Sequence, residues 1–312
     1  MKKMDSCKIK VKAPAKINLH LEVIGRRTDG FHELSMIMQA IDLCDFLELN
    51  KRSNGELNLI SDSIELGKNE DNLIIKAAKL LKEFSNKKEL GADIYLNKNI
   101  PIGAGLAGGS SDAAAALLGL NKLWNLNLNS YTLHKLACKI GSDVPFCFGG
   151  GSQFCFGRGE ILEKYKSNIN YSLMLIKNPN ISISTAEVYK KYSSTYKNTF
   201  TSSRTEIMKR RNLLRLKGFD KDKVFNTKVS IRNDLQKIVE KENNSVKEAL
   251  NLLSSLNNCL SFSMSGSGPS CFGIFEDYNK AQIQYQKNIE SFKKGGFDVW
   301  ICNFVDNGVT II

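Results

Sequence analysis

Ile100-Pro101-Ile102-Gly103-Ala104-Gly105-Leu106-Ala107-Gly108-Gly109-Ser110-Ser111-Asp112-Ala113 is the stretch on which the reading of this chain turns. Four glycines fall within seven residues, followed by two serines, an aspartate and four alanines. Glycine reaches positive φ without steric penalty and lets backbone come close to a ligand. Ser110, Ser111 and Asp112 are N-cap residue types. From Ala113 to Trp124, Leu117, Leu120, Leu123 and Trp124 share one helical face. The spacing predicts a glycine-rich loop feeding a helix at Ala113. Free N–H groups and the helix dipole at such a terminus favour an anion, and phosphate is the natural one.

Three readings of the loop compete. Gly103-x-Gly105-x-x-Gly108 fits the dinucleotide fingerprint, but that fold wants an acid about 20 residues further on. Residues 113–142 contain neither Asp nor Glu. The preceding Asp93-Ile94-Tyr95-Leu96-Asn97 alternates, unlike a strand buried on both faces. A Walker loop closes on Gly-Lys-Ser/Thr, a tripeptide this chain lacks. The third reading is a turn with no ligand, which has little need of four glycines.

Moving outward, 312 residues suggest two domains, and 42% hydrophobic residues suffice for a sizeable core. No apolar run reaches the length of a membrane span, and Met1 to Lys8 lack the apolar region of a secretory signal. The eight cysteines are scattered, with no CxxC pair, which points to free buried thiols in a cytoplasmic protein. Of the net charge of +12, residues 190–232 carry +10, with 13 Lys/Arg against 3 Asp/Glu. That segment has Lys209-Arg210-Arg211 but no aromatic ladder, so a solvated, partly mobile insertion is expected rather than a nucleic-acid interface.

Residues 8–24 alternate strongly, and Pro14 predicts either two short strands or one with a break. The Gly25–His32 loop is followed by strand patterning over 34–49 and 55–60. Helices are expected at 72–84 and 131–140, with a strand at 152–156. Beyond these, a strand at 171–176, a helix over 184–192, helical pattern over 233–256, strands at 259–264 and 271–275, a helix at 280–292 and a strand at 297–304 suggest an α+β sandwich. Lys16 is either a salt-bridged strand lysine or a working cation. Asp143 after Gly141-Ser142 is a helix N-cap, a working carboxylate, or both. His20 and His134 read as structural, and His32 sits in a loop where polar residues often function.

Pro14-Ala15-Lys16-Ile17-Asn18-Leu19, the glycine-serine loop and Ser265-Gly266-Ser267-Gly268-Pro269 occur in an order that resembles the three motifs of the GHMP small-molecule kinases. Gly25-Arg26-Arg27-Thr28-Asp29-Gly30-Phe31-His32 and Gly141-Ser142-Asp143-Val144-Pro145-Phe146 bring the likeness nearest to members acting on a cytidine diphosphate methylerythritol. The resemblance implies an α+β, two-domain GHMP kinase-like architecture. Residues 1–165 would form a ribosomal-protein-S5-domain-2-like N-terminal domain, and 166–312 a ferredoxin-like α/β sandwich with the basic insertion at 190–232. It implies phosphoryl transfer from ATP, with Mg2+, to a substrate hydroxyl. Asp143 would be the base, Lys16 its partner, and Pro101 to Ser111 the phosphate-binding loop. Asn18, Phe31, His32, Tyr189, Gly266, Ser267 and Gly268 would contact the substrate, His32 by a hydrogen bond to cytosine and Phe31 with Tyr189 by stacking on it. No nucleic-acid or membrane partner is implied. A methyl at Ala104 or Ala107, where some members have glycine, is tolerable at negative φ. Homoserine- or mevalonate-type kinases, and a basic nucleic-acid-binding protein, are the alternative readings.

Overall fold

The alternating residues 8–24 make one strand, not two. In the computed structural model, which describes residues 8–63, 72–165, 171–217 and 231–312, β1 (Lys8–Arg26) runs antiparallel to β2 (His32–Arg52). The ladder shifts register between Pro14 and Lys16, between Asn18 and His20, and between Val23 and Gly25. A bulge is where a proline, having no N–H, is tolerated inside a strand. β2 serves two partners along its length. Leu34–Gln39 pairs with β5 (Ser152–Gly157), and Phe46–Arg52 with β4 (Gly91–Asn97). β3 (Leu57–Ser61) lies parallel to β4, and β6 (Ile161–Tyr165) completes a hairpin with β5. The chain returns to this sheet twice, through β8 (Arg232–Asn233) and β12 (Thr310–Ile311), both on β1. The expected boundary at 165–166 borders residues 166–170, which lie outside the described residues.

Four helices cover the sheet: α1 (Leu73–Ser85), α2 (Gly108–Leu123), α3 (Ser130–Ile140) and α4 (Val144–Gly149). α2 is central and packs on β1, β2, α1, α3 and α4. Ala113 to Ala116 are fully buried. At Gly119 any side chain would collide with Leu49 and Val11. Small residues therefore let this helix lie close on the sheet and fix the position of its N-terminus.

The second sheet, β11-β7-β10-β9, is antiparallel throughout: β7 (Ser172–Lys177), β9 (Ser261–Met264), β10 (Cys271–Phe275) and β11 (Asp298–Asn303). α7 (Gln236–Glu242) and α8 (Asn244–Ser255) precede β9, and α9 (Tyr278–Lys294) precedes β11. This is the βαββαβ order of a ferredoxin-like sandwich. The helical pattern over 233–256 breaks at Asn243, whose extended backbone and side-chain cap on the Val246 N–H start a second helix.

The basic segment departs from expectation. It forms α5 (Thr185–Tyr196) and α6 (Arg204–Lys217), and residues 218–230 lie outside the described residues. α6 is clamped on the first sheet: Arg210 reaches Glu22, Arg211 reaches Glu33, and Arg215 reaches Glu163. Arg211 and Arg215 also cover the ring of Phe156, and Leu214 is buried. Ion pairs and one apolar anchor hold the helix, so its sequence shows little apolar period. The cysteines described are free, five of them buried. Among the described residues no helix is long and apolar enough to cross a membrane.

Candidate active site

α2 begins at Gly108, five residues earlier than the expected Ala113. Its N-cap is Ala107, and no side chain caps it. Ser110, Ser111 and Asp112, expected as caps, belong to the helix itself. The first helical bond runs from the Ser111 N–H to the Ala107 carbonyl at 2.9 Å. The N–H groups before it have no capping side chain and stand at a cleft lined by residues 101–110. Gly103, Gly105 and Ala107 all have positive φ, at 60°, 74° and 57°. The condition that Ala107 keep negative φ therefore fails, at a cost of about 1–2 kcal/mol for a residue with a Cβ. Ala104 is not among the left-handed residues.

Gly105 is required twice, by its φ and by the late turn, because a Cβ there would collide with the Ser265 carbonyl. Ser265 Oγ donates to the Gly105 carbonyl at 3.0 Å, and the Lys16 N–H to the Leu106 carbonyl at 3.0 Å. Three motifs distant in sequence thus meet at one loop. Two expected members stand back from the cleft. Ser111 is fully buried, with its hydroxyl donating to the Pro14 carbonyl at 2.8 Å, so it ties α2 to β1. Gly268 shapes the late turn, its N–H donating to Ser265.

Lys16 is 4% exposed. Its ammonium donates to Asn18 Oδ1 at 2.7 Å and to the Gly105 carbonyl at 3.3 Å, and lies 3.7 Å from Asp143 Oδ2. A methyl at Gly266 would stand 3.5 Å from both Lys16 Nζ and Asn18 Oδ1, so the late turn closes over this pair. Asp143 precedes α4 but its side chain makes no cap hydrogen bond. The carboxylate is left to face Lys16. A cation at this range stabilises an alkoxide forming beside the carboxylate.

At the other end, Ser193 Oγ donates to the Tyr189 carbonyl at 2.8 Å and lies 2.6 Å from His32 Nε2. With the serine hydrogen so placed, Nε2 carries the imidazole hydrogen and Nδ1 is the acceptor. Burial pushes the His32 imidazole below its ordinary pKa, and Arg26 adds to this. The His32 ring stacks on Tyr189 at 4.9 Å, with Phe200 edge-on at 6.0 Å. Phe31 is 50% exposed beneath the guanidinium of Arg158. Phe31 and Tyr189 both line the cleft, but the ring against Tyr189 is His32. Ser193, Phe200, Arg158 and Thr185, whose hydroxyl lies 2.7 Å from that of the expected Ser267, were not singled out from sequence. Phe200 and Ser193 lie in the basic segment, where no motif marks them.

Behind the loop sits a buried ionic cluster that sequence also missed. Lys98 Nζ donates to Asp112 Oδ2 at 2.8 Å and to Asp45 Oδ2. Asp45 Oδ1 accepts the N–H groups of Asn99 at 2.6 Å and Ile100 at 2.8 Å. Burial pushes the Asp112 carboxyl well above the ordinary carboxylate range; Lys98 draws it back, and the Asp45 charge raises it again.

Loop, ion pair and aromatic end share one cleft of about 1450 Å³. Residues 72–151 match the GHMP kinases N terminal domain, and residues 225–294 the GHMP kinases C terminal domain. Over its whole length the chain is 56% identical to a 4-diphosphocytidyl-2-C-methyl-D-erythritol kinase of Prochlorococcus marinus subsp. pastoris, covering 100% of each. The chain belongs to this family of GHMP kinases. A second such kinase, from Prochlorococcus marinus strain NATL2A, is 50% identical over 96% of this chain and 94% of its own. A crystal structure of 4-(cytidine 5'-diphospho)-2C-methyl-D-erythritol kinase superposes with a TM-score of 0.70 at 28% identity, covering 95% of this chain and 98% of that one. The mevalonate kinase of Methanococcus jannaschii shares the fold at 16% identity, with a TM-score of 0.65 over 97% and 99% of the two chains.

Proposed function

We infer that this kinase moves the terminal phosphoryl group of ATP to the 2-hydroxyl of 4-diphosphocytidyl-2-C-methyl-D-erythritol, a step of the non-mevalonate route to isoprenoid precursors. The observation that supports the chemistry best is the Lys16–Asp143 pair, 3.7 Å apart and tied through the Gly105 carbonyl to the uncapped start of α2. The N–H groups of Gly108, Gly109 and Ser110 hold nucleotide phosphate. Asp143 takes the hydroxyl proton as that oxygen bonds to the terminal phosphorus. The bond from phosphorus to the bridging oxygen breaks, and ADP leaves with that electron pair. Lys16 faces the charge developing on the alkoxide.

His32 Nδ1, an acceptor, suits the exocyclic amino group of cytosine, and the His32–Tyr189 wall with Phe31 offers faces for the ring. Among the described residues no three His, Cys, Asp or Glu side chains cluster as a metal cage. Mg2+ keeps several waters and binds through substrate phosphates with few protein ligands, so it would travel on the nucleotide and neutralise phosphate charge there. The protein is read as cytoplasmic with no nucleic-acid or membrane partner. The pairing of Arg210, Arg211 and Arg215 with glutamates leaves those three cations engaged within the chain rather than offered to a nucleic acid.

Asp143→Asn tests the assignment. Turnover should fall about 10²–10⁴-fold, with melting temperature and ADP affinity held. Turnover equal to wild type would remove Asp143 as the base.

A further inference from the structure

Six Lys/Arg side chains line the cleft against two aspartates. Lys16 faces Asp143, and Lys98 is held between Asp45 and Asp112. Arg158 lies over Phe31, 3.9 Å from Glu160. Arg26, Lys190 and Lys197 remain, exposed and with no ion-pair partner among the described residues. Within the same basic segment, by contrast, Lys191 pairs with Glu242, and three arginines of α6 pair with glutamates. Unmatched cations on the walls of a cleft raise its potential and draw an anion into it.

Their placement names the anion. Lys190, Ser193 and Lys197 are spaced by three and four residues, so α5 and the helical residue that follows it turn one face to the cleft. Tyr189 on that face carries the His32 ring at 4.9 Å, and Ser193 fixes His32 Nε2. The two lysines therefore flank the contacts that build a seat for a base. Arg26 closes from the opposite wall as the cross-strand partner of His32. The Thr201 N–H donates to the Ile24 carbonyl at 3.0 Å, which seats the chain beyond α5 on β1 close to Arg26. A base placed against His32 carries its diphosphate one ribose away, so the anion arrives among these cations.

We propose that Arg26, Lys190 and Lys197 recognise the diphosphate of the cytidine substrate and set a preference for the diphosphate ester over the free nucleoside. The proposal rests on cytosine occupying the His32 end of the cleft. Each cation is exposed, so each contributes modestly and the three act together. Salt screens such contacts.

Calorimetric titration of the full-length enzyme with CDP, cytidine and ADP, in Mg2+-free buffer at low salt, tests the proposal. CDP should bind wild type about tenfold more tightly than cytidine, and that advantage should shrink as salt rises. The double variant Lys190→Gln/Lys197→Gln should lose about tenfold in CDP affinity. Its affinities for cytidine and ADP, and its melting temperature, should match wild type. Lys190→Arg/Lys197→Arg keeps both charges and should keep CDP affinity. Arg26→Gln should show a smaller loss of the same kind. Unchanged CDP affinity in the Lys190→Gln/Lys197→Gln variant would overturn the proposal. So would an equal loss for cytidine, which would put the lysines in the seat of the base, or an equal loss for ADP, which would put them on the other nucleotide. A wild type that binds neither CDP nor cytidine would remove the cytidine reading itself, and the proposal with it.

Discussion

The two ends of the cleft are built by different means. The glycine-loop end is a backbone construction: left-handed residues at Gly103, Gly105 and Ala107, an uncapped helix start, and a late turn pressed on the loop. The His32 end is a side-chain construction. Its order comes from a hydroxyl relay through Ser193 and from rings stacked between elements far apart in the chain. At Gly105 the backbone shape tolerates no side chain, because a Cβ there meets the backbone of Ser265 and Gly268. Side-chain surfaces degrade by degrees, one contact at a time.

The largest effect expected from this contrast is at Gly105. Gly105→Ala must carry a Cβ at φ 74° and into the Ser265 carbonyl. It should lose about 2 kcal/mol or more of stability and most ADP affinity, read by thermal melts and calorimetry. A variant that melts and binds like wild type would break the claim that backbone shape governs this end.

His32→Phe should act more mildly. The ring still packs on Tyr189, but the Nδ1 acceptor is gone. KM for the cytidine substrate should rise about tenfold with kcat unchanged. Because burial holds the His32 pKa below its ordinary value of 6.5, wild-type His32 is neutral at pH 7. Acidification through the lowered pKa protonates Nδ1 and removes the acceptor. The wild-type KM should therefore climb on the acid side, and that of His32→Phe should stay flat across the same range.

The smallest effect sharpens the contrast from the opposite direction. Ala107→Gly relieves a left-handed alanine worth about 1–2 kcal/mol but returns about 0.4–1 kcal/mol of chain entropy to the unfolded state. The net should be a gain of roughly 0.5–1 kcal/mol, visible as a small rise in melting temperature. A fall would show that the Ala107 methyl makes packing contacts that outweigh its strain.

Legibility followed the same division. The glycine loop, the Pro14–Leu19 strand and the Ser265–Pro269 turn were readable because glycine, proline and alternation act locally on the backbone. The exact helix start was not readable. Ser110 and Asp112 look like caps, but the cap is Ala107, and only the packing of α2 on the sheet decides where the first turn begins. Ser111 was read as a loop ligand because nothing in the run shows that its hydroxyl turns to Pro14. The basic segment misled for a related reason. Its partners Glu22, Glu33 and Glu163 lie outside it, so a count along the chain misses that Arg210, Arg211 and Arg215 are paired in space.

The order of residues by itself determined a glycine-rich loop feeding a helix, an α+β fold in two parts and the identities of Lys16, Asp143 and His32 as candidates. Tertiary structure alone decided that Lys16 faces Asp143, that His32 presents an acceptor, and that Asp45 and Asp112 compete for one lysine. The reason is physical. Backbone preference is set by a residue and its immediate neighbours, whereas the energy of a charge or a hydrogen depends on groups brought beside it from anywhere in the chain, as Glu22 and Arg232 meet across 210 residues.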